Sequence, residues 1–255
     1  MFFLEDGNPQ NPAIVFLHGS PLSSRMWRAQ IETLKNDYYC IAPDLPGHGD
    51  SAGEKFESAD HTARQVAGFI LEKIPAKRAH VVGLSFGGVI AQAMLTRVPD
   101  VLYKVILSGT SGRLNPFLVK MQNLNKPLFK LLRPEQLARL VVMQFGIPLH
   151  FVDDFGQDFK KFSVESFSRM MDAYGAIEPL SEVKIPFLAV AGEKETFVAK
   201  DMARKLARSS PHGQGGIVKA AGHVWNLQFP DLFSEMLSSF INDRPLPSAI
   251  SMFKK

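Results

Sequence analysis

Ser85 stands in the stretch VVGLSFGG, residues 81–88, with Gly83 and Gly87 two positions to either side. This G-x-S-x-G spacing, with an apolar strand-like run before it and a helical run after it, fits a sharp strand-to-helix turn that presents a hydroxyl at its apex. Side chains two residues from the apex would collide, which accounts for glycine at both places. The chemistry on offer is nucleophilic attack on a carbonyl. A neutral hydroxyl attacks poorly, so a base must take its proton, and the base needs an acid that fixes its tautomer and stabilises its cation. Seven histidines could supply the base. For the acid, AGEKETFV, residues 191–198, places Glu193 and Glu195 two positions apart after an apolar run. Glu195 could instead cap a helix beginning near Val198, and Glu193 could be a solvated loop residue.

Such groups must be held by regular elements, and the chain alternates strand-like and helical runs. AIVFLHG (13–19), YYCIAPD (38–44), AHVVGLS (79–85), LYKVILSG (102–109), IPFLAVAG (185–192) and GGIVKAAGH (215–223) read as strands. Helices are expected over 23–35 behind a Ser cap, 58–74, 86–98, about 198–207 and 232–241. Continuous apolar strands separated by helices predict a doubly wound, mostly parallel sheet covered on both faces. Sites in such sheets lie just beyond the carboxyl ends of the strands.

The rhythm fails over residues 112–177, where no strand of the core type is seen. The expectation is a core formed by 1–111 and 178–255, with 112–177 inserted as a helical cap. This interval is rich in Phe and Met: Phe117, Met121, Phe129, Met143, Phe145, Phe151, Phe155, Phe159, Phe162, Phe167, Met170 and Met171. Most should pack cap onto core, and a minority should line an apolar pocket suited to acyl or aryl groups.

Over nearly its whole length the chain resembles the α/β-hydrolase superfamily. FLHGSP (16–21) looks like the family's HG-x-P turn, DLPGHGDS (44–51) resembles its D-x-P-G-x-G-x-S loop, and VVGLSFGG matches its nucleophile elbow. The resemblance implies an α/β-hydrolase fold with Ser85 as nucleophile and the backbone N–H groups of Ser20 and Phe86 as the oxyanion hole. It implies His223 as base, in the G-H turn before the final helix. It puts the acid at Glu195 in Gly192-Glu193-Lys194-Glu195, with Glu193 as the alternative acid; glutamate replaces the family's usual aspartate. An acid after the preceding strand, a known variant, is not offered by ILSGTSGR. Asp153 and Asp154 lie in the cap and Asp231 in the last helix. His18 and His48 belong to the two turns and read as scaffold, while His61, His80, His150 and His212 default to surface or packing roles. Many relatives have two strands before the one that here reads AIVFLHG; MFFLED supplies one. Haloalkane dehalogenases and epoxide hydrolases of this superfamily use an aspartate nucleophile, which Ser85 argues against.

Composition agrees with a small-molecule enzyme. With 255 residues, 45% hydrophobic and 21% charged, the chain can bury a large core, and its net charge of +4 is scattered rather than gathered in a basic run. Nucleic acid is not an expected partner. Cys40, the single cysteine, sits in an apolar run and reads as a buried, inert thiol in a reducing, cytoplasmic setting. MFFLEDG has no basic region of the kind that starts a secretory leader, and no apolar stretch is long enough for a membrane span. No metal motif, dinucleotide fingerprint or phosphate loop occurs, so no cofactor and no metal are expected. The expected activity is a carboxylesterase-like serine hydrolase that cleaves an ester or thioester of a small, largely apolar substrate through an acyl-enzyme. The alternatives are a C–C bond hydrolase or acyltransferase with the same triad, or a ligand-binding member of the fold with little turnover. Oligomeric state is left open.

Overall fold

A computed structural model describes residues 1–114 and 131–254. Its centre is an eight-stranded sheet. In chain order the strands are β1 (Phe3–Asp6), β2 (Ala13–Leu17), β3 (Tyr39–Pro43), β4 (Ala79–Leu84), β5 (Leu102–Ser108), β6 (Phe187–Gly192), β7 (Gly213–Val218) and β8 (Ile250–Met252). They lie in the order β1-β3-β2-β4-β5-β6-β7-β8, with β1 antiparallel to β3, β8 antiparallel to β7 and every other pair parallel.

The parallel strands are apolar throughout because both faces are covered. Along β2, Ile14 and Phe16 join the cluster on one face, while Val15 and Leu17 join the cluster on the other. The first face packs against α1 (Arg28–Leu34) and α9 (Pro230–Ile241), and the second against α2 (Ala59–Lys73), α3 (Phe86–Arg97) and α7 (Phe197–Arg208). A chain of rings, Phe16 to Trp27 to Phe233 to Trp225, holds the first face with centroids 5.2, 5.5 and 4.5 Å apart. Each such side chain contributes about 1.5–3 kcal/mol on full burial. Helix α3 is buried from Phe86 to Leu95, as expected for a helix apolar on nearly all sides.

Between β5 and β6 the chain leaves the sheet and forms α4 (Pro134–Gln144), α5 (Val152–Lys161) and α6 (Val164–Gly175). A polar cluster fastens these helices to the strand ends. Asp158, on α5 and fully buried, accepts from Ser23 Oγ at 2.9 Å and from Arg25 Nη1 at 2.8 Å. Burial pushes the Asp158 carboxyl up to about 7, while Ser23 and Arg25 pull it down. Arg25 also reaches Asp50 at 2.8 Å, and Lys161 pairs with the other oxygen of Asp50.

Four elements differ from the reading of the sequence. The run 215–223 is not strand to its end: β7 stops at Val218, and Ala220 takes a φ of +60°, which turns the chain out of the sheet. His223 therefore sits in a loop. Nor is β7 the last strand, because β8 pairs Ile250 with Val218 across the sheet edge. Ser23 caps nothing; its hydroxyl is spent on Asp158, and residues 24–27 form a 3-10 turn before α1. Finally, a short helix α8 (Trp225–Gln228) precedes α9. Among the described residues no helix is long and apolar enough to cross a membrane.

Candidate active site

Four loops at the carboxyl ends of β2, β4, β6 and β7 converge on a cavity of about 1020 Å³ whose lining includes Ser20, Ser85, Phe86, Glu195 and His223. Ser85 makes the whole turn from β4 into α3 by itself, with φ +53° and ψ −114°. A side chain is rarely stable in this left-handed region, and such strain costs on the order of 1–3 kcal/mol. The fold holds it there with two hydrogen bonds, Ser85 N–H to the Ser108 carbonyl at 2.9 Å and Gly88 N–H to the Ser85 carbonyl at 3.0 Å. A Cβ at Gly83 would run into the Gly87 carbonyl, and one at Gly87 would run into the Leu17 carbonyl. Both glycines are thus required by close backbone approach.

The imidazole of His223 lines the same cavity as Ser85. His223 Nδ1 lies 2.7 Å from Glu195 Oε2, and Glu195 Oε1 accepts from the Gly192 N–H at 2.9 Å. The carboxylate is 5% exposed and the imidazole 24% exposed, so the carboxylate is shielded while the imidazole keeps an open edge. With Nδ1 donating to the carboxylate, Nε2 is left as the unprotonated, basic nitrogen. The ring packs near Gly109 and against Phe145 of the inserted segment, centroids 5.3 Å apart. Glu193 points elsewhere: its Oε2 accepts from Ala220 N–H at 2.8 Å and so braces the turn that leads to His223. Helix α7 is capped by Thr196, whose hydroxyl accepts from Ala199 N–H at 3.2 Å, and Glu195 is not needed for that role.

A second group joins Ser20, His48 and Phe86. The Ser20 hydroxyl is 2.7 Å from His48 Nε2, and His48 Nδ1 is 3.1 Å from the Pro46 carbonyl. Since a carbonyl only accepts, Nδ1 carries the proton and Ser20 donates to Nε2. Burial, with His18 nearby, pushes His48 down to about 3, so the ring stays neutral. His18 is also buried, and burial lowers its pKa; its Nε2 accepts from Leu45 N–H at 2.9 Å. These two imidazoles tie the loop after β2 to the loop after β3. His80 is buried near Tyr103, His150 packs on Phe151, and His61 of α2 pairs loosely with Glu57. Asp153 and Asp154 lie in the first turn of α5 and Asp231 in the first turn of α9; no contact is made from them to His223 among the described residues.

Among the described residues the Phe/Met-rich segment gives more to the cavity than the minority expected, five of nine. Met143, Phe145, Phe167, Met170 and Met171 line the cavity, whereas Phe155, Phe159 and Phe162 are buried and Phe151 packs against the core. Phe117, Met121 and Phe129 lie outside the described residues. Gln228 and Tyr174 are among the lining residues that were not anticipated. Gln228 accepts from Gly222 N–H at 2.8 Å and donates to the Phe145 carbonyl, joining the His223 loop to the inserted helices. Tyr174 lines the cavity together with Ser85, and burial pushes its phenol up to about 12. The signal for Tyr174 was present: Phe167, Met170, Met171 and Tyr174 stand at i, i+3, i+4 and i+7, one face of a helix.

A family model described as "Alpha/beta hydrolase family" matches residues 14–236. An uncharacterized hydrolase, YugF, of Bacillus subtilis is 27% identical over 92% of this chain and 91% of its own length. A pimeloyl-[acyl-carrier protein] methyl ester esterase of Vibrio atlanticus is 26% identical over 91% of this chain and 95% of its own. Among solved structures, a thermophilic esterase from Thermogutta terrifontis shares the fold, with a TM-score of 0.78 at 19% identity, covering 95% of this chain and 93% of that one.

The strain at Ser85 has a measurable consequence. Ser85→Gly should be more stable to urea than Ser85→Ala by about 1 kcal/mol, the relief of a positive φ less the entropy that glycine gives the unfolded chain. Equal stabilities, or a less stable glycine variant, would show that the turn is not strained.

Proposed function

The chain belongs to the alpha/beta hydrolase family, and from that premise we propose that it is a serine hydrolase acting on carboxylic esters or thioesters of small, largely apolar substrates. The observation that carries this reading is the 2.7 Å contact of Glu195 with His223 in a cavity that Ser85 also lines. In the proposed mechanism His223 Nε2 takes the Ser85 proton as Oγ attacks the carbonyl carbon. Charge then gathers on the carbonyl oxygen, where the N–H groups of Ser20 and Phe86 receive it; each such donor is commonly worth about 10²–10³-fold in rate. Collapse of the tetrahedral intermediate expels the alcohol or thiol, protonated by the imidazolium. Water, deprotonated by the same imidazole, then frees the acid from the acyl-enzyme. Throughout, Glu195 fixes the tautomer and stabilises the cation.

Within this reading residues 112–177 are a cap over a core of 1–111 and 178–255, and the cap's apolar residues set substrate size. The cavity is at the upper end of the roughly 300–1,000 Å³ usual for small-molecule sites, room for a medium-length acyl chain together with its leaving group. A relative named as a methyl ester esterase supports the ester over other acyl derivatives. Cys40, fully buried and with its thiol pushed up to about 12 by burial, takes no part and fits a reducing cytoplasm.

A fluorophosphonate probe should label the wild type at Ser85 and leave Ser85→Ala unlabelled, and p-nitrophenyl esters should be turned over faster as the acyl chain lengthens from acetate to medium chains. Equal labelling of both proteins would overturn the nucleophile assignment; labelling with turnover only of vinylogous keto acids would replace the ester by C–C hydrolysis. For the acid, Glu195→Gln should lower kcat by about 10³–10⁴-fold, as loss of the orienting carboxylate does in related triads. Glu193→Gln should keep kcat within about tenfold. The reverse order would exchange the two roles.

A further inference from the structure

Ser20 and Phe86 both line the cavity, and among the described residues no protein group accepts from the backbone N–H of either. Both donors are therefore free for an oxygen that arrives beside Ser85. The two are held in different ways. Phe86 is the first residue of α3, so the helix places its N–H. Ser20 lies in a turn outside any helix or strand. That turn passes close to the nucleophile, since a Cβ at Gly19 would stand 3.3 Å from the Ser85 Cβ. The loop after β3 ties it down at three points. Leu45 N–H donates to His18 Nε2 at 2.9 Å, Ser24 N–H donates to Asp44 Oδ1 at 2.7 Å, and between these Ser20 Oγ donates to His48 Nε2 at 2.7 Å. Only the last of the three grips Ser20 itself.

We propose that His48 is a positioning residue for the hydrolysis: through the Ser20 hydroxyl it sets the Ser20 N–H at the oxyanion, alongside the N–H of Phe86, on whose ring it is stacked. This rests on the serine-hydrolase reading. A backbone donor is effective only within about 2.7–3.1 Å of the place where the oxyanion forms, and a turn residue with no regular structure around it does not hold that distance unaided. His48 is suited to hold it because it is itself immobile. Its Nδ1 donates to the Pro46 carbonyl at 3.1 Å, and its ring is buried with Phe86 at 5.7 Å, His18 at 5.2 Å and Phe162 of the inserted segment at 4.9 Å. One ring thus contacts both residues that carry the oxyanion donors. Burial keeps it neutral, so Nε2 stays an acceptor. The Ser20 hydroxyl gives its proton to that nitrogen, and the oxyanion is met by the N–H rather than by the hydroxyl. His48 touches no substrate and exchanges no proton with it.

Ser20→Ala keeps the backbone N–H and removes the grip, and His48→Phe keeps a ring against Phe86 and removes the acceptor. For p-nitrophenyl acetate each should lower kcat about tenfold to a hundredfold with little change in KM. Inhibition by a phenyl trifluoromethyl ketone, whose adduct with serine carries an oxyanion, should weaken by the same factor as kcat/KM. Since both substitutions break one link, the double variant should be no slower than the slower single one. His48→Gln, whose amide offers an acceptor and a donor on one carbon as the imidazole does, should recover most of the rate. A merely structural role for His48 would produce neither the shared loss nor the recovery. Wild-type kcat and ketone inhibition in Ser20→Ala would overturn the proposal, whether or not His48→Phe folds. Losses that multiply in the double variant would overturn it too, by showing that His48 acts on something other than Ser20. A wild type that takes neither fluorophosphonate nor ketone would instead sink the serine-hydrolase reading beneath it.

Discussion

The molecule is arranged around a turn of one residue. Between the last residue of β4 and the first of α3 there is only Ser85, held at a φ that side chains avoid. Such a conformation persists only where the surroundings over-determine it, and here they do so through the closest backbone approaches in the site: β2 against Gly87, and Gly83 against the same turn. The strain, about 1–3 kcal/mol, is small beside the apolar burial of α3 and the sheet, so a well-covered sheet can hold a hydroxyl at its edge at little risk to the fold. The parallel order of β2, β4, β6 and β7 then does the rest, because it delivers the four loops that carry Ser20, Ser85, Glu195 and His223 to one edge.

This explains why so much was legible in the sequence. A fully covered parallel strand must be apolar on both faces, so β2, β3, β4 and β6 announce themselves as short apolar runs, and the elbow glycines follow from local sterics alone. The loops where chemistry could sit were found by asking only where those runs stop. Residues between β5 and β6 that pack on the core or line the cavity were recognisable as a class from their Phe and Met content, although their division between the two roles was not.

What was hidden depends on contacts distant in sequence. Both glutamates follow β6, and nothing local separates them; the distinction is made by Ala220, whose N–H engages Glu193 and leaves Glu195 to face His223. The end of β7 was obscured because the turn at Lys219 to Ala221 holds no Gly, Pro, Asn or Asp, and the positive φ falls on Ala220. β8 is three residues long, exposed over its last two residues and defined only by pairing with β7. Ser23 has the look of a helix cap, but a buried carboxylate 135 residues away takes its hydroxyl. Tyr174 extends a face whose first three members had been noticed, and its place in the cavity lining, against Phe86, appears only once α6 is folded onto the sheet.

The central claim is that the strained hydroxyl of Ser85 is a nucleophile that carries the acyl group between two half-reactions. Rapid mixing with p-nitrophenyl acetate, followed by intact-mass measurement of the quenched protein, tests it most directly. The account predicts a burst of about one equivalent of p-nitrophenol per active chain, a matching acetyl adduct on Ser85, and neither in Ser85→Ala. Steady turnover that shows no burst and no adduct, and that persists in Ser85→Ala, would contradict it.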